Sequence, residues 1–258
     1  MLAYKTFTVT DGPSARSEHS LVLSDDSKNV YLFGGRSGSD FYNDLYVGTF
    51  KANSEIEWKK IHWENSEPEA RSGHSMVCNK NELIVFGGFQ KDKVFNDTLI
   101  YSIKDNMWNR LKSDVTILPS PRYYHSACKC GPWMVVHGGK CPQPLNDTFF
   151  FDMKKWLQFK ITGETSYRYG HKSFFQNGYI VFIGAIDDKK EFVQPSVINT
   201  LKDKEWYYED YKMIGNVPST LFLFGQALFN SSQFFIYGGI DPITVENVSN
   251  SFYQIKLL

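Results

Sequence analysis

Four arginines, each standing three residues before a histidine, are the side chains of this sequence best suited to binding or chemistry. An arginine guanidinium group binds a carboxylate through two parallel hydrogen bonds, so several arginines around one opening would favour an acidic ligand. The alternative is structural, with each arginine tied to an aspartate of a neighbouring repeat or to backbone carbonyls. The pairs are Arg16/His19, Arg71/His74, Arg122/His125 and Arg168/His171.

The histidines and cysteines are the candidates for metal ligation. Each of the four histidines, His19, His74, His125 and His171, belongs to a different repeat, and no carboxylate or cysteine shares their spacing. We therefore interpret these histidines as structural hydrogen-bonding groups. Structural zinc sites use paired cysteines or histidines at short spacing, and Cys128, Cys130 and Cys141 do not form that pattern. The sequence predicts neither a metal nor a cofactor.

Sequence motifs of the common enzyme classes are missing. No Gly-x-Ser-x-Gly nucleophile elbow, P-loop or dinucleotide fingerprint is present. We therefore predict that the chain is not an enzyme. The alternative is a metal-dependent enzyme whose site would occupy the same surface as the arginines.

Charge and hydropathy limit the classes of partner. The sequence has 28 Lys plus Arg and 28 Asp plus Glu, a net charge of zero. This balance argues against a nucleic-acid partner or an anionic membrane surface. No apolar run is long enough for a membrane helix. Because the first residues show no apolar leader, we expect a cytoplasmic protein, with the nucleus as the alternative.

The arginines and histidines belong to a repeat with a period of about fifty residues. A Gly-Gly pair, an Asn-Asp pair and a tryptophan follow each of the first three arginines in the same order, and a fifth unit without the arginine and histidine carries Gly238-Gly239. The fourth repeat weakens the pattern with Gly184-Ala185 and Asn199-Thr200. The glycines are Gly34, Gly35, Gly87, Gly88, Gly138, Gly139, Gly238 and Gly239, and the tryptophans are Trp58, Trp108, Trp156 and Trp206.

Each repeat predicts four short strands. The first follows the histidine, the second is the apolar run before the glycines, the third follows Asn-Asp and the fourth carries the tryptophan. The second strands, such as 83–86, do not alternate apolar and polar residues, so we expect both of their faces to be covered. The fourth strand is expected at the outer edge.

This combination of a double glycine, an aromatic third strand and a late tryptophan resembles the kelch motif over essentially the whole chain. The resemblance implies an all-β fold, a five-bladed β-propeller of one domain with four antiparallel strands in each blade. Residues 3–9 have the spacing of a missing fourth strand, so we expect them to complete the last blade and close the ring. The expected blades are 10–64, 65–113, 114–162, 163–212, and 213–258 with 3–9.

The resemblance also implies a partner. Kelch domains that bind peptides or C-terminal carboxylates commonly use arginines at the start of the first strand. We therefore predict a monomeric, non-catalytic interaction module, serving in substrate recognition or as a scaffold. Its channel mouth, lined by arginine and tyrosine, would bind an acidic segment or a chain terminus of a protein partner. The candidates are Arg16, Arg71, Arg122, Arg168, Tyr123, Tyr124 and Tyr169, with Arg36, Phe41 and Phe89 from adjoining loops.

Overall fold

The computed structural model describes a chain of strands. The described residues are 8–51, 55–65, 68–112, 117–189, 191, 193, 196–199, 206–210, 225–230, 233–237 and 252–256. Every regular element among them is a strand. Across this described part, no helix combines the length and apolar character that crossing a membrane requires. The chain divides into two compact units, Met1–Ser113 and Asp114–Leu258. This division coincides with the predicted boundary between the second and third repeats.

Unit 1 contains one main sheet for each of the first two repeats. The first has the strand order β1-β7-β6-β3-β2 and the second has the order β13-β12-β9-β8, while β4/β5 and β10/β11 are short hairpins. The strands are β1 (Thr8–Thr10), β2 (Ser20–Leu23), β3 (Asn29–Phe33), β4 (Arg36–Ser37), β5 (Asp40–Phe41), β6 (Leu45–Lys51), β7 (Glu55–Ile61), β8 (Ser75–Asn79), β9 (Glu82–Phe86), β10 (Phe89–Gln90), β11 (Lys93–Val94), β12 (Thr98–Ser102) and β13 (Met107–Arg110).

Unit 2 continues with one main sheet for each remaining repeat. Their strand orders are β14-β15-β16-β17, β18-β22-β21-β20-β19 and β23-β24-β25. The strands are β14 (Ser126–Cys130), β15 (Trp133–His137), β16 (Thr148–Phe151), β17 (Trp156–Leu157), β18 (Ile161–Thr162), β19 (Lys172–Gln176), β20 (Tyr179–Ile183), β21 (Ser196–Asn199), β22 (Trp206–Asp210), β23 (Gly225–Asn230), β24 (Gln233–Tyr237) and β25 (Phe252–Lys256). We call the main sheet of each repeat a blade.

The strand order within the first four blades follows the sequence prediction. Consecutive strands pair antiparallel, and the four tryptophans lie on β7, β13, β17 and β22. The second strands are buried from their second residue onward, as β9 illustrates with Leu83, Ile84, Val85 and Phe86 all fully buried. Their apolar runs without alternation therefore do mark strands covered on both faces.

The prediction that residues 3–9 complete the last blade is wrong for the part that is described. Thr8 and Val9 pair in parallel with Glu55 and Ile56 of β7, at the outer edge of the first blade. The fourth blade has the same arrangement, since β18 pairs in parallel with β22. The tryptophan strand is therefore not outermost in these two blades. Residues 3–7 and Gly238-Gly239 lie outside the described residues.

The Gly-Gly pair has a steric cause. Gly34 and Gly35 have positive φ angles of 63° and 94°. A Cβ atom on Gly34 would lie 2.7 Å from the Arg71 carbonyl oxygen of the next blade, and one on Gly35 would lie 2.7 Å from the Ser17 carbonyl oxygen of its own blade. Both distances are too short for a side chain. The glycines let one blade approach the segment that opens the next.

Ala185 occupies the second glycine position of the fourth blade with a φ of 135°. This region is open to glycine and strained for other residues. We expect Ala185→Gly to raise the free energy of unfolding by about 1 kcal/mol, because relief of strain exceeds the added freedom of the unfolded chain. Urea denaturation measures the change. Ala127→Gly on β14 is the control and should lower stability, so a loss of stability in both variants would contradict the argument.

Candidate functional site

The four repeated arginines lie inside their own blades. Arg71 shows the arrangement, with its Nη1 and Nη2 atoms donating to the two carboxylate oxygens of Asp97 at 2.7 and 3.1 Å. Nη1 also donates to the Gly87 carbonyl oxygen at 3.0 Å. Arg122 makes the same contacts with Asp147 and Gly138, and Arg16 with Asp44 and Gly34. The aspartate of each Asn-Asp pair is thus the partner of its own repeat's arginine.

The backbone of these arginines connects adjacent blades. The Arg71 N–H donates to the Tyr42 carbonyl of the first blade, and the Arg71 carbonyl accepts from the Gly35 N–H. The asparagine of the Asn-Asp pair adds a side-chain link, since Asn43 Nδ2 donates to the Pro68 carbonyl at 3.1 Å. Arg168 makes the same backbone bonds with Leu145 and Gly139 of the third blade. Arg71 and Arg168 therefore join their own blade through the guanidinium and the preceding blade through the peptide.

The fourth repeat replaces the aspartate with a tyrosine hydroxyl. Thr200 stands where the aspartate is expected and lies outside the described residues. Arg168 donates from Nη2 to the hydroxyl oxygen of Tyr208, on β22, at 2.6 Å. Tyr208 is itself buried. Tyr208 was not predicted from the sequence, because its position in the repeat carries no marker.

These contacts change the interpretation of the arginines. Arg71, Arg122 and Arg168 have no exposed surface, and the Arg16 side chain is 3% exposed. A ligand would have to displace the paired carboxylate, or the Tyr208 hydroxyl in the fourth blade, to reach any of them. Their prediction as partner-binding residues therefore gives way to the structural alternative, with the correction that the aspartate belongs to the same blade and not to a neighbouring one.

The repeated histidines of the second and fourth blades lie between blades. The His74 ring packs edge-on against Phe33 of the preceding blade, with centroids 5.3 Å apart, and its Cε1 atom faces the Gly34 Cα. His171 packs in the same way against His137, at 5.6 Å. Burial lowers the pKa of His171 well below its ordinary value. Among the described residues no group of three His, Cys, Asp or Glu side chains is placed to hold a metal ion.

His19 differs from the other three repeated histidines in its burial. It is half-buried, whereas His74, His125 and His171 are buried. Its backbone position is the shared one, because a Cβ atom on Gly35 would lie 2.8 Å from the His19 Cβ, as one on Gly88 would from the His74 Cβ. His74 packs on the blade before its own, and His19 belongs to the first blade along the chain. His19 therefore shares the repeat position but differs in burial, and its structural role stays a prediction.

Cys128 and Cys130 are buried free thiols. Burial raises the pKa of Cys128 to about 12 and that of Cys130 to about 11. Both side chains therefore remain protonated near neutral pH. Because the thiolate is the nucleophile, neither residue suits nucleophilic catalysis.

The residues that differ between repeats lie beside this constant framework. In each of the first four blades, the residue after the arginine forms a β-bridge with the residue after the Gly-Gly position. The residue after the arginine is serine in the first two blades and tyrosine in the next two. The residue after the Gly-Gly position is arginine, phenylalanine, lysine and isoleucine in turn. We call these positions the variable pairs. They are Ser17/Arg36, Ser72/Phe89, Tyr123/Lys140 and Tyr169/Ile186.

The residue before each histidine has left-handed backbone geometry in all four blades. The φ angles are 57° at Glu18, 63° at Gly73, 55° at Tyr124 and 73° at Gly170. The geometry serves hydrogen bonding between blades, since the Gly73 N–H donates to the Glu18 carbonyl at 3.0 Å and the Gly170 N–H donates to the Tyr124 carbonyl at 2.8 Å. No sequence marker indicated this constraint, because only two of the four residues are glycines.

In unit 1 the variable residues form a charged and aromatic surface. Arg36 donates from Nη2 to the Glu18 carboxylate at 2.7 Å, and its guanidinium lies 5.9 Å from the centre of the Phe89 ring. Phe41 packs edge-on against Phe89, with centroids 5.7 Å apart. The two hairpins therefore bring Arg36, Phe41 and Phe89 together, three residues that were candidates from the sequence.

In unit 2 the corresponding surface contains tyrosines and a lysine. Tyr123 and Tyr124 pack edge-on with centroids 4.9 Å apart. The Lys140 ammonium lies 4.9 Å from the centre of the Tyr169 ring, a cation–π contact. Burial raises the pKa of Tyr123 and Tyr169, so both hydroxyls stay protonated and can donate hydrogen bonds. Lys140, which was not among the residues predicted from the sequence, belongs to this group.

Comparison with known proteins places the chain in a family. A family model described as the KLHDC2/KLHL20/DRC7 Kelch-repeats domain matches residues 3–185. This is more than half of the sequence, and the chain therefore belongs to the kelch-repeat family. Kelch-repeat domains generally mediate protein–protein interactions and are typically non-enzymatic.

Three curated relatives show how widely the repeat is used. Tip elongation aberrant protein 3 of Schizosaccharomyces pombe is 35% identical over 134 residues, or 49% of this chain. The leucine-zipper-like transcriptional regulator 1 homolog of Drosophila melanogaster is 24% identical over 69% of the chain, and host cell factor homolog hcf-1 of Caenorhabditis elegans is 28% identical over 50% of it. The matched regions span 12%, 19% and 18% of these relatives.

Proposed function

We propose that this chain is a non-catalytic protein-interaction domain that contacts its partner through the exposed and half-buried members of the variable pairs and the residues beside them. One observation carries the proposal: the repeated arginines are buried within the blades, whereas the more accessible residues beside them change from repeat to repeat. These accessible members of the variable pairs are Ser17, Arg36, Phe89, Tyr123 and Lys140, while Ser72, Tyr169 and Ile186 are buried. A constant framework with variable loop residues is the arrangement that rigid scaffolds use for recognition. Kelch-repeat membership supports the same class of function.

The proposed partner is a protein segment with acidic character. In unit 2, Lys140 supplies positive charge and Tyr123 and Tyr124 supply aromatic contact area. In unit 1, Phe41 and Phe89 supply aromatic contact area beside Arg36, whose charge is paired with Glu18. Arginine and tyrosine are enriched at interfaces because they combine apolar area with hydrogen bonding. An acidic segment or a chain terminus remains the proposed ligand. The contact is assigned to these surface residues and not to the four buried arginines.

Three further features complete the proposal. The five sheets are proposed to be the blades of one closed propeller, supported by the regular repeat order and the family match. The domain is proposed to act as a monomer in the cytoplasm. A role in substrate recognition or as a scaffold would follow from the binding surface.

Binding of peptides selected from a displayed random library tests the proposal. We expect the wild-type protein to select a defined peptide family. A variant with Phe89→Ser, Tyr123→Ser and Tyr124→Gly should bind those peptides about tenfold more weakly or worse, because it loses buried aromatic area. Lys104→Ser and Asn109→Ser, on exposed residues away from the variable pairs, are the controls. Equal binding by the surface variant, with an unchanged melting curve, would contradict the proposal.

A further inference from the structure

The first and third blades place a cation at the same structural position. Arg36 and Lys140 each follow the Gly-Gly pair, and each forms a β-bridge with the residue after the buried arginine. The residue that follows this bridge partner along the chain is Glu18 in the first blade and Tyr124 in the third, with φ angles of 57° and 55°. The two blades therefore offer a direct comparison in which the backbone is constant and the side chains differ.

In the first blade the chain neutralises its own cation. The Glu18 carboxylate accepts from Arg36 Nη2 at 2.7 Å, and the Glu18 side chain is only 8% exposed. This carboxylate neutralises the charge of the Arg36 guanidinium and reduces its attraction for an external anion. The unit 1 surface therefore presents an arginine whose charge is already paired.

In the third blade the same position holds no acid. Within the described residues Lys140 has no carboxylate partner, and its ammonium lies over the Tyr169 ring. Asp187 raises the pKa of Tyr169, but its carboxylate accepts the backbone N–H groups of Lys189 and Glu191 and forms no ion pair with Lys140. Lys93, on the second blade, instead pairs with Glu69. Lys140 thus differs from Arg36 and Lys93 of unit 1, each of which pairs with a glutamate.

The strained backbone of Tyr124 points to a role beyond folding. Gly73 and Gly170 hold the same position in the second and fourth blades. A glycine is therefore sufficient for the fold at this position, and no side chain is needed there. A tyrosine in left-handed geometry is less stable than glycine, and such strain concentrates at functional sites. The Tyr124 ring packs on Tyr123 beside Lys140, where it extends an aromatic surface next to the cation.

We propose that Lys140, together with Tyr123 and Tyr124, binds the side-chain carboxylate of an aspartate or glutamate within an extended segment of a protein partner. A single ammonium matches the single charge of a carboxylate, whereas phosphate groups are usually held by several arginines. Tyr123 is the β-bridge partner of Lys140 and Tyr124 packs on Tyr123, so both rings would contact residues next to the acidic one. An acidic residue inside a segment has such neighbours on both sides. This inference rests on the proposed function.

Peptides from the random library provide the probe. Wild-type protein should select peptides with an acidic residue at a fixed position, and replacing that residue with its amide should weaken binding about tenfold or more. Lys140→Gln should bind the acidic and amide peptides equally. Lys93→Gln is the matched control, because this lysine of the β10/β11 hairpin already pairs with Glu69. It should keep the wild-type discrimination.

Exchanging the residues of the first and third blades gives a sharper test. Tyr124→Glu should pair with Lys140 as Glu18 pairs with Arg36, and should abolish the preference for acidic peptides without lowering the melting temperature. Glu18→Tyr should instead create a second site for acidic peptides around Arg36. These substitutions keep the backbone geometry that the structure already accommodates at both positions.

The outcomes separate this inference from the proposed function. Selected peptides without an acidic residue, or acid-to-amide discrimination that survives Lys140→Gln, would overturn the lysine site while leaving an interaction domain in place. Peptides whose acidic group is their free C-terminus would replace the internal segment by a chain end and overturn the proposed source. Failure to select any peptide, with the protein folded, would overturn both proposals.

Discussion

Asp97→Ala is expected to lower the free energy of unfolding by about 3–5 kcal/mol. The substitution leaves the Arg71 guanidinium, which has no exposed surface, without its carboxylate. Arginine does not release its proton in proteins, so the buried charge cannot be neutralised in any other way. The carbonyl oxygens of Gly87 and Glu69 remain as acceptors but carry no full charge. Urea denaturation at neutral pH measures the loss.

A double substitution separates the buried charge from the loss of packing. Arg71→Met with Asp97→Ala removes both charges and should be clearly more stable than Asp97→Ala alone, because replacing both partners of a buried pair is far less costly than removing one. Glu57→Ala is the control, since its pair with Lys51 is exposed and should contribute little to stability. If Asp97→Ala behaves like this control, the arginines are not structural and become ligand candidates again.

The sequence was sufficient for the framework because the framework repeats. Four markers in constant order indicated the strands, and the apolar runs before Gly-Gly indicated strands buried on both faces. The partner of each arginine was also present in the pattern. The aspartate of the Asn-Asp pair accompanies the arginine in the first three repeats, and Thr200 replaces it in the fourth. The chemical properties of arginine alone could not decide between a ligand and this internal aspartate.

Features without a repeating marker could not be predicted. The parallel strands β1 and β18 are only three and two residues long, and they pair at blade edges where no alternation of side chains is needed. The left-handed position before each histidine is hidden by Glu18 and Tyr124. Lys140 was not predicted because an isolated lysine in a loop is ordinarily solvated, and only its position relative to Tyr124 and Tyr169 distinguishes it.

The buried pair His137 and His171 predicts a stability that falls in acid. Burial lowers the pKa of both residues well below the ordinary 6.5, and nearby positive charge from Arg168 contributes to both. Arg122 also faces His137, and His125 and Lys172 also face His171. No acidic group opposes these charges among the causes of either shift. The folded protein therefore resists protonation at both imidazoles.

The sign of the effect follows from proton binding. Below about pH 6.5 the unfolded chain takes up a proton at each histidine while the folded state does not, so stability is complete above that pH and falls as the pH decreases. Each histidine contributes a slope of up to about 1.4 kcal/mol per pH unit. Between about pH 6.5 and 5 the pair should therefore remove up to about 3 kcal/mol of unfolding free energy, since the slope is only half its limit at pH 6.5.

His137→Phe isolates one half of this effect and has a precedent within the chain. Phe86 holds the equivalent position on β9 and pairs with Thr98, as His137 pairs with Thr148. The variant should keep the fold and lose about half of the acid dependence in urea denaturation series across this pH range. His62→Gln, at an exposed residue, is the control for a changed histidine count. A wild-type pH profile in His137→Phe would show that the acid sensitivity arises elsewhere, whereas a halved slope would assign it to the ring pair between the third and fourth blades.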